Sequence, residues 1–259
     1  MHRTRRIKTA GVQITGTQIV SGRMAARTKK LRELIFPPRC PGCDEVQESE
    51  GFCPACMSAI TLNQEPVCKK CGKHIEDEQQ EYCYDCRSRK HNYNQGKGVY
   101  LYEGAIKQTM YRLKYSNRRC YARVLGRAAV RWHGDWICEH DIQAIIPIPM
   151  YDGKQRQRGY NQAQVLAQEI GRLLDLPVYA DIVVRKRDTV AQKGLTDVER
   201  RNNLKNAFKI QQNKVQLNRI LIIDDIYTTG STIDAVALVL RNVGVEKIYF
   251  LSICVGKGY

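Results

Sequence analysis

The chain has 259 residues, and 42 Lys and Arg against 26 Asp and Glu give it a formal charge of +16. That length allows one large domain or two ordinary ones with a real core, and a composition 43% hydrophobic and 26% charged argues against disorder or a fibre. The longest apolar runs, such as Ile220-Leu221-Ile222-Ile223, are strand-sized, so a membrane-spanning helix is excluded.

The charge is uneven. Residues 1–30 hold eight basic groups and no acid, residues 36–90 hold seven basic and ten acidic ones, and residues 91–259 hold 26 basic against 15 acidic. A basic body favours anionic partners, either phosphate-bearing small molecules or nucleic acid. Residues 1–33 show neither helical nor strand periodicity and lack the continuous apolar stretch of a signal peptide. They read as a disordered basic tail, or as an overlong start with Met24 as the second Met.

Residues 34–91 are dominated by four Cys-x-x-Cys pairs: Cys40/Cys43, Cys53/Cys56, Cys68/Cys71 and Cys83/Cys86. Each pair offers two soft ligands from one tight knuckle, and two knuckles complete a tetrahedral four-cysteine zinc site. Four knuckles therefore predict two structural zinc ions, with no open position for catalysis. Adjacent pairing gives two consecutive ribbons, and an interleaved cross-brace is the alternative. Disulfides need an oxidising compartment to which nothing directs the chain, and a thioredoxin-like motif would occur once. Cysteine-ligated iron–sulfur clusters share the spacing. His74, three residues past Cys71, reads as solvated, and Cys120, Cys138 and Cys254 read as buried hydrophobes. The polar run Arg87–Lys90 ends the module as a linker, with a boundary near residue 92.

Residues 92–259 alternate strand and helix. Strands are expected at Val99–Tyr102, Ala144–Ile148, Asp181–Val184, Arg219–Ile223 and Lys247–Ile253. Helices are expected from Ala105, over about Tyr121–Trp132, Asn161–Leu174 and Thr232–Asn242. This order predicts an α/β fold, a mainly parallel sheet with helices on both faces, whose ligands bind at the carboxyl ends of the strands.

One segment carries the chemistry. The apolar strand ending at Ile223 runs into Asp224-Asp225-Ile226-Tyr227 and then Thr228-Thr229-Gly230-Ser231-Thr232, which opens a helix. Backbone N–H groups, small hydroxyls and a helix N-terminus make an anion site suited to phosphate. Two carboxylates would repel that phosphate, so they require ribose hydroxyls or a metal bridging a polyphosphate.

The segment resembles the signature of the type I phosphoribosyltransferases, which bind phosphoribosyl pyrophosphate (PRPP) there. The resemblance implies that Asp224 and Asp225 act at the reacting sugar, holding its 2′- and 3′-hydroxyls, and that Tyr227 to Thr232 cradle the 5′-phosphate. Ile226, between them, belongs to the same PRPP-binding segment. Further features, Ile146-Pro147-Ile148-Pro149, Arg158-Gly159-Tyr160-Asn161-Gln162, Gln192, Leu195, Arg200/Arg201, Asn203 and Phe208, stand behind Phe36-Pro37-Pro38-Arg39-Cys40. That order resembles the ComF family of competence-associated proteins over about residues 34–259. The family implies cytoplasmic action on incoming single-stranded DNA in natural transformation, with a helicase-type partner. The family includes members with one zinc site, so the metal count stays open. Lys154, Arg156 and Arg158 fall where the family carries its pyrophosphate loop, and could neutralise PRPP together with Mg²⁺. Arg158 is the foremost PRPP ligand among them. Lys193, Arg200 and Arg201 fall where the family has a closing loop.

A second basic stretch, Lys107, Arg112, Lys114, Arg118, Arg119, Arg123, Arg127 and Arg131, alternates with Tyr111, Tyr115 and Tyr121. Cations with aromatic platforms are the parts of a single-strand groove, whereas tyrosines spaced by four also suit a helix core face. Two functions follow: a PRPP-binding protein of DNA uptake, and an active phosphoribosyltransferase in nucleotide salvage or synthesis. In the latter, the bond from C1′ to pyrophosphate breaks and a nitrogen nucleophile takes its place.

Overall fold

The computed structural model describes residues 35–186, 207–211 and 216–256. The tail 1–33 and the residues Gln192, Lys193, Leu195, Arg200, Arg201 and Asn203 lie outside the described residues.

The cysteine-rich segment contains two single-turn helices, α1 (Pro54–Ser58) and α2 (Tyr84–Ser88), each starting immediately after a zinc-type cysteine. The body then runs β1 (Gln95–Leu101), α3 (Gly104–Tyr115), α4 (Tyr121–Glu139), β2 (Ala144–Pro147), α5 (Asp152–Arg158), α6 (Gln162–Leu174), β3 (Val183–Arg185), β4 (Phe208–Ile210), β5 (Arg219–Tyr227), α7 (Ser231–Arg241) and β6 (Lys247–Val255). Four strands form one sheet in the order β1-β6-β5-β2, with every pairing parallel. β3 and β4 form a separate antiparallel pair. The segment at 181–184, expected as a sheet strand, therefore belongs to this small ribbon.

The apolar run of β5 explains the two-sided core. Ile220 and Ile222 point to one face and Leu221 and Ile223 to the other, because successive strand side chains alternate. On the second face pack α3, α4 and α6, through residues such as Ile106, Met110, Leu125, Leu166 and Ile170. On the first face lie α7 and, beside it, Cys68, Cys71, Ile75 and Cys83 of the cysteine-rich segment. The expected boundary near residue 92 falls at a tightly bonded point. The Asn92 N–H and the His91 ring both bond the Asp234 carboxylate on α7, at 2.8 and 2.6 Å. Tyr93, 1% exposed, packs edge-on against Phe250 with ring centres 4.8 Å apart. β1 approaches this ring so closely that a Cβ on Gly96 would lie 2.0 Å from Phe250.

Cys254 is buried as expected, whereas Cys120 and Cys138 are exposed. Cys120 caps the start of α4 and Cys138 lies in its last turn, outside the stripe that the helix buries, so each thiol faces solvent. The same reasoning corrects the reading of Tyr111 and Tyr115 as core. On α3 the buried stripe is Ile106, Met110 and Leu113, and the two tyrosines lie outside it, 58% and 65% exposed.

Candidate functional site

The eight paired cysteines gather into two clusters, Cys40/Cys43/Cys53/Cys56 and Cys68/Cys71/Cys83/Cys86, with all sulfurs of each cluster within 4.8 Å of one another. Thiolates about 2.3 Å from a tetrahedral zinc stand roughly 3.8 Å apart. The Cys43–Cys53 and Cys71–Cys83 sulfur separations, 3.9 and 3.6 Å, fit that edge. Adjacent knuckles pair, so the two ribbons are consecutive. His74 contributes nothing to either cluster and bonds the Gln64 carbonyl instead. The residue that does face the second cluster is His91, whose Nε2 lies 3.5 Å from the Cys86 sulfur. Its imidazole bridges that sulfur to Asp234 on α7. The sequence offers no spacing signal for this role.

The acidic segment lies in β5 itself, which extends four residues past Ile223 to Tyr227. Asp224 and Asp225 form the base of a cleft of about 280 Å³ at the carboxyl ends of β2 and β5. Ile226, Thr228 and Thr232 line it from the same segment, Gln162 from α6, Lys154 from α5 and Arg185 from β3. Gly230 precedes α7 at φ +77°, a conformation that costs glycine little and other residues more. The Thr229 and Ser231 hydroxyls stand 3.0 Å apart across it. Tyr227 differs from its neighbours: its ring is 1% exposed and stacks on Phe250, and its hydroxyl meets that of Tyr93 at 2.7 Å. Its ring packs beneath the loop, where a Cβ on Gly230 would lie 2.5 Å from the Tyr227 hydroxyl.

The two carboxylates are not equivalent. Burial pushes the Asp224 carboxyl well above the ordinary carboxylate range, and the neighbouring Asp225 charge adds to this. Burial also works against the Asp225 charge, but Lys114 of α3 outweighs it and holds that carboxyl below its ordinary range. The Lys114 ammonium lies 2.8 Å from Asp225 Oδ2. Gln162 donates to Asp225 as well, while its Oε1 accepts from Arg158 Nη1 at 2.5 Å. Arg158 thus reaches the acidic pair through Gln162. Lys114 was legible only as one of a basic run, and Arg185 carried no signal at all; both arrive from elements distant in sequence.

Arg158 itself lines a second cleft, of about 570 Å³, next to the first. Its guanidinium lies 5.1 Å from the ring centre of Tyr115. Much of the remaining basic run is engaged elsewhere. Arg118 and Tyr121 bond the Asp44 carboxylate, Arg112 bonds the Gly42 carbonyl, and Arg123 and Arg127 hold Glu50. These contacts seat the first ribbon on α3 and α4.

A ribbon pair with two four-cysteine zinc sites, joined to a parallel sheet bearing an acidic strand end and a Thr-rich loop, defines a zinc-ribbon phosphoribosyltransferase-type protein. Residues 31–87 match the double zinc ribbon domain family and residues 157–258 the phosphoribosyl transferase domain family. Competence protein F of Haemophilus influenzae is 34% identical over 203 residues, covering 76% of this chain and 87% of that protein. DNA utilization protein YhgH of Escherichia coli K12 is 28% identical (79% and 90% covered), and competence protein ComFC of Bacillus subtilis is 25% identical (77% and 81%). The chain belongs to the ComF family. Among the described residues, no helix is long and apolar enough to cross a membrane.

Proposed function

We propose that this protein binds PRPP with Mg²⁺ in the cleft at Asp224 and Asp225 and acts in DNA uptake, handling incoming single-stranded DNA in the cytoplasm. The competence and DNA-utilization relatives support the role in DNA uptake. The observation that carries PRPP binding is the Lys114–Asp225 ion pair beneath the Thr228–Thr232 loop. An ionised Asp225 accepts hydrogen bonds from neutral ribose hydroxyls, while loop N–H groups and hydroxyls at the N-terminus of α7 receive the 5′-phosphate. Lys154 and Arg185 line the cleft for the pyrophosphate, and Arg158 holds Gln162 against Asp225. Mg²⁺ takes oxygen ligands in octahedral geometry, and pyrophosphate oxygens with the raised carboxyl of Asp224 suit it. Its charge favours the ionised form that burial opposes.

Calorimetric titration with PRPP and Mg²⁺ tests this reading. Binding to the wild type that disappears in Asp224→Ala/Asp225→Ala supports it. A folded, zinc-loaded wild type that takes up no PRPP removes the ligand from the account. Phosphoribosyl transfer is the second reading, favoured by the cationic groups around the pyrophosphate position. Release of pyrophosphate on addition of a nucleobase would establish it.

A further inference from the structure

The second cleft is built unlike the first. Tyr115, Asn117, Arg119, Lys154, Arg156 and Arg158 line it, and among the described residues no acidic one does. Its volume is twice that of the cleft at Asp224, within the range of a small-molecule or nucleotide site. Several of its groups are held in place. Arg119 donates to Asn117 Oδ1 at 3.2 Å and to the Gly159 carbonyl at 3.1 Å, and its guanidinium lies 4.6 Å from the Tyr160 ring centre. Asn117 adopts φ +52°, placing the turn between α3 and α4 at the rim.

On the same side of α3, Tyr111 and Tyr115 stand with ring centres 5.0 Å apart and rings inclined by 47°. Both leave the helix away from the core, although burying them would remove apolar area from water. An exposed pair of aromatic rings beside fixed cations offers stacking surfaces and phosphate contacts in one place. A small phosphate would need only the cations, and a duplex hides the base faces that rings of this kind contact.

We infer that this cleft binds single-stranded nucleic acid, with backbone phosphates between Arg119 and Arg156 and a base stacked on Tyr115. The inference rests on the DNA-handling reading above and gives that reading a location. It also explains why Lys114 stands in the wall between the clefts, bonded to Asp225 on one side and lining the nucleic-acid cleft on the other. The strand then passes beside the PRPP site rather than through it.

The test is fluorescence anisotropy of a labelled oligo(dT) on the full-length, zinc-loaded protein, with PRPP calorimetry in parallel. The first variants are Tyr115→Ala and Tyr115→Trp. Alanine removes the stacking face and tryptophan restores one. The third is Asn117→Asp, which retains an acceptor for Arg119 and a side chain tolerant of positive φ while adding a negative charge. We expect Tyr115→Ala to weaken oligo(dT) binding about tenfold and Tyr115→Trp to return it to within about twofold of wild type. Asn117→Asp weakens it and lowers the slope of log affinity against log salt by about 0.7, the value for one lost phosphate contact. PRPP affinity stays within about twofold throughout. If the wild type binds oligo(dT) and all three variants bind equally, the cleft is not the site, while the DNA-handling reading stands. If PRPP affinity falls in step with DNA affinity, the cleft belongs to the PRPP site and the inference fails. If duplex DNA binds as well as single strands, stacking on Tyr115 is not the mode. Failure of the wild type to bind any oligo(dT) removes both the site and the reading beneath it.

Discussion

Asp224 shows how the site sets binding against stability. Its carboxyl is raised by burial and by Asp225, so the folded chain holds a proton that the unfolded chain has released. Between the ordinary value of 3.8 and the raised one, the folded state binds more protons, and stability falls as pH rises. Asp224→Asn removes the ionisation yet leaves an Oδ1 to accept the Asp225 N–H, which lies 2.8 Å away. The variant is expected to melt at a higher temperature than wild type at neutral pH, with the difference vanishing as pH falls toward 3.8. PRPP binding is lost in the same variant. Calorimetric melting across pH checks the first expectation, and an unchanged neutral-pH melting temperature would show that Asp224 is ionised at no cost. The adjacent acids were legible in the sequence because their neighbours in space are their neighbours in the chain. Lys114, the group that makes the two acids differ, comes from α3, far earlier in the chain, and only the packing of α3 over the sheet reveals it.

The elements with continuous periodicity were legible for the same local reason. The stripes of α3 and α6 and the β-branched run of β5 state their faces directly, and Asn161, whose Oδ1 accepts the Ala163 N–H, caps α6 where the helix was expected to start. Short elements were not legible. α5 gave no helical signal, because Asp152–Arg158 has no apolar stripe; the helix ends on Gly159 at φ +83°. β4 has three residues and gains its partner from β3. The clasp between the second ribbon and α7 was also invisible. Asp234 in the first turn of α7 accepts from His91 and from the Asn92 N–H, so one carboxylate ties the ribbon to the helix that opens the phosphate loop. Asp234→Ala leaves a largely buried imidazole and an N–H without their acceptor, a loss of about 1–3 kcal/mol. The variant is expected to keep two zinc ions per chain by mass spectrometry, melt earlier, and bind PRPP more weakly. PRPP affinity equal to wild type would show that the loop holds its shape without the clasp.

At the scale of the molecule, the two ribbons serve different parts of the body, although their cysteine spacings look alike. The first meets α3 and α4 chiefly through charge, with Asp44 and Glu50 taking up Arg118, Arg123 and Arg127, and adds Phe52 and Ile60 at the edge of the core beneath them. This is where the acidic excess of residues 36–90 neutralises part of the basic body, and why the basic run could not be read as one continuous groove. The second meets the sheet through apolar burial, with Cys68, Cys71, Ile75 and Cys83 in one cluster with Tyr93, Phe250 and α7. Structural zinc couples its binding energy to folding, so loss of either metal should be felt first by the part of the body its ribbon touches. Cys43→Ser loosens the seat of Arg118, next to Arg119 in the second cleft, and is expected to weaken oligo(dT) binding while sparing PRPP. Cys71→Ser uncovers the sheet face beneath Tyr227 and α7, and is expected to abolish PRPP binding and lower the melting temperature the more. Zinc stoichiometry should fall from two to one in each variant. Equal loss of both ligands in both variants would mean that the ribbons fold as one unit and that the division between charge and burial has no functional consequence.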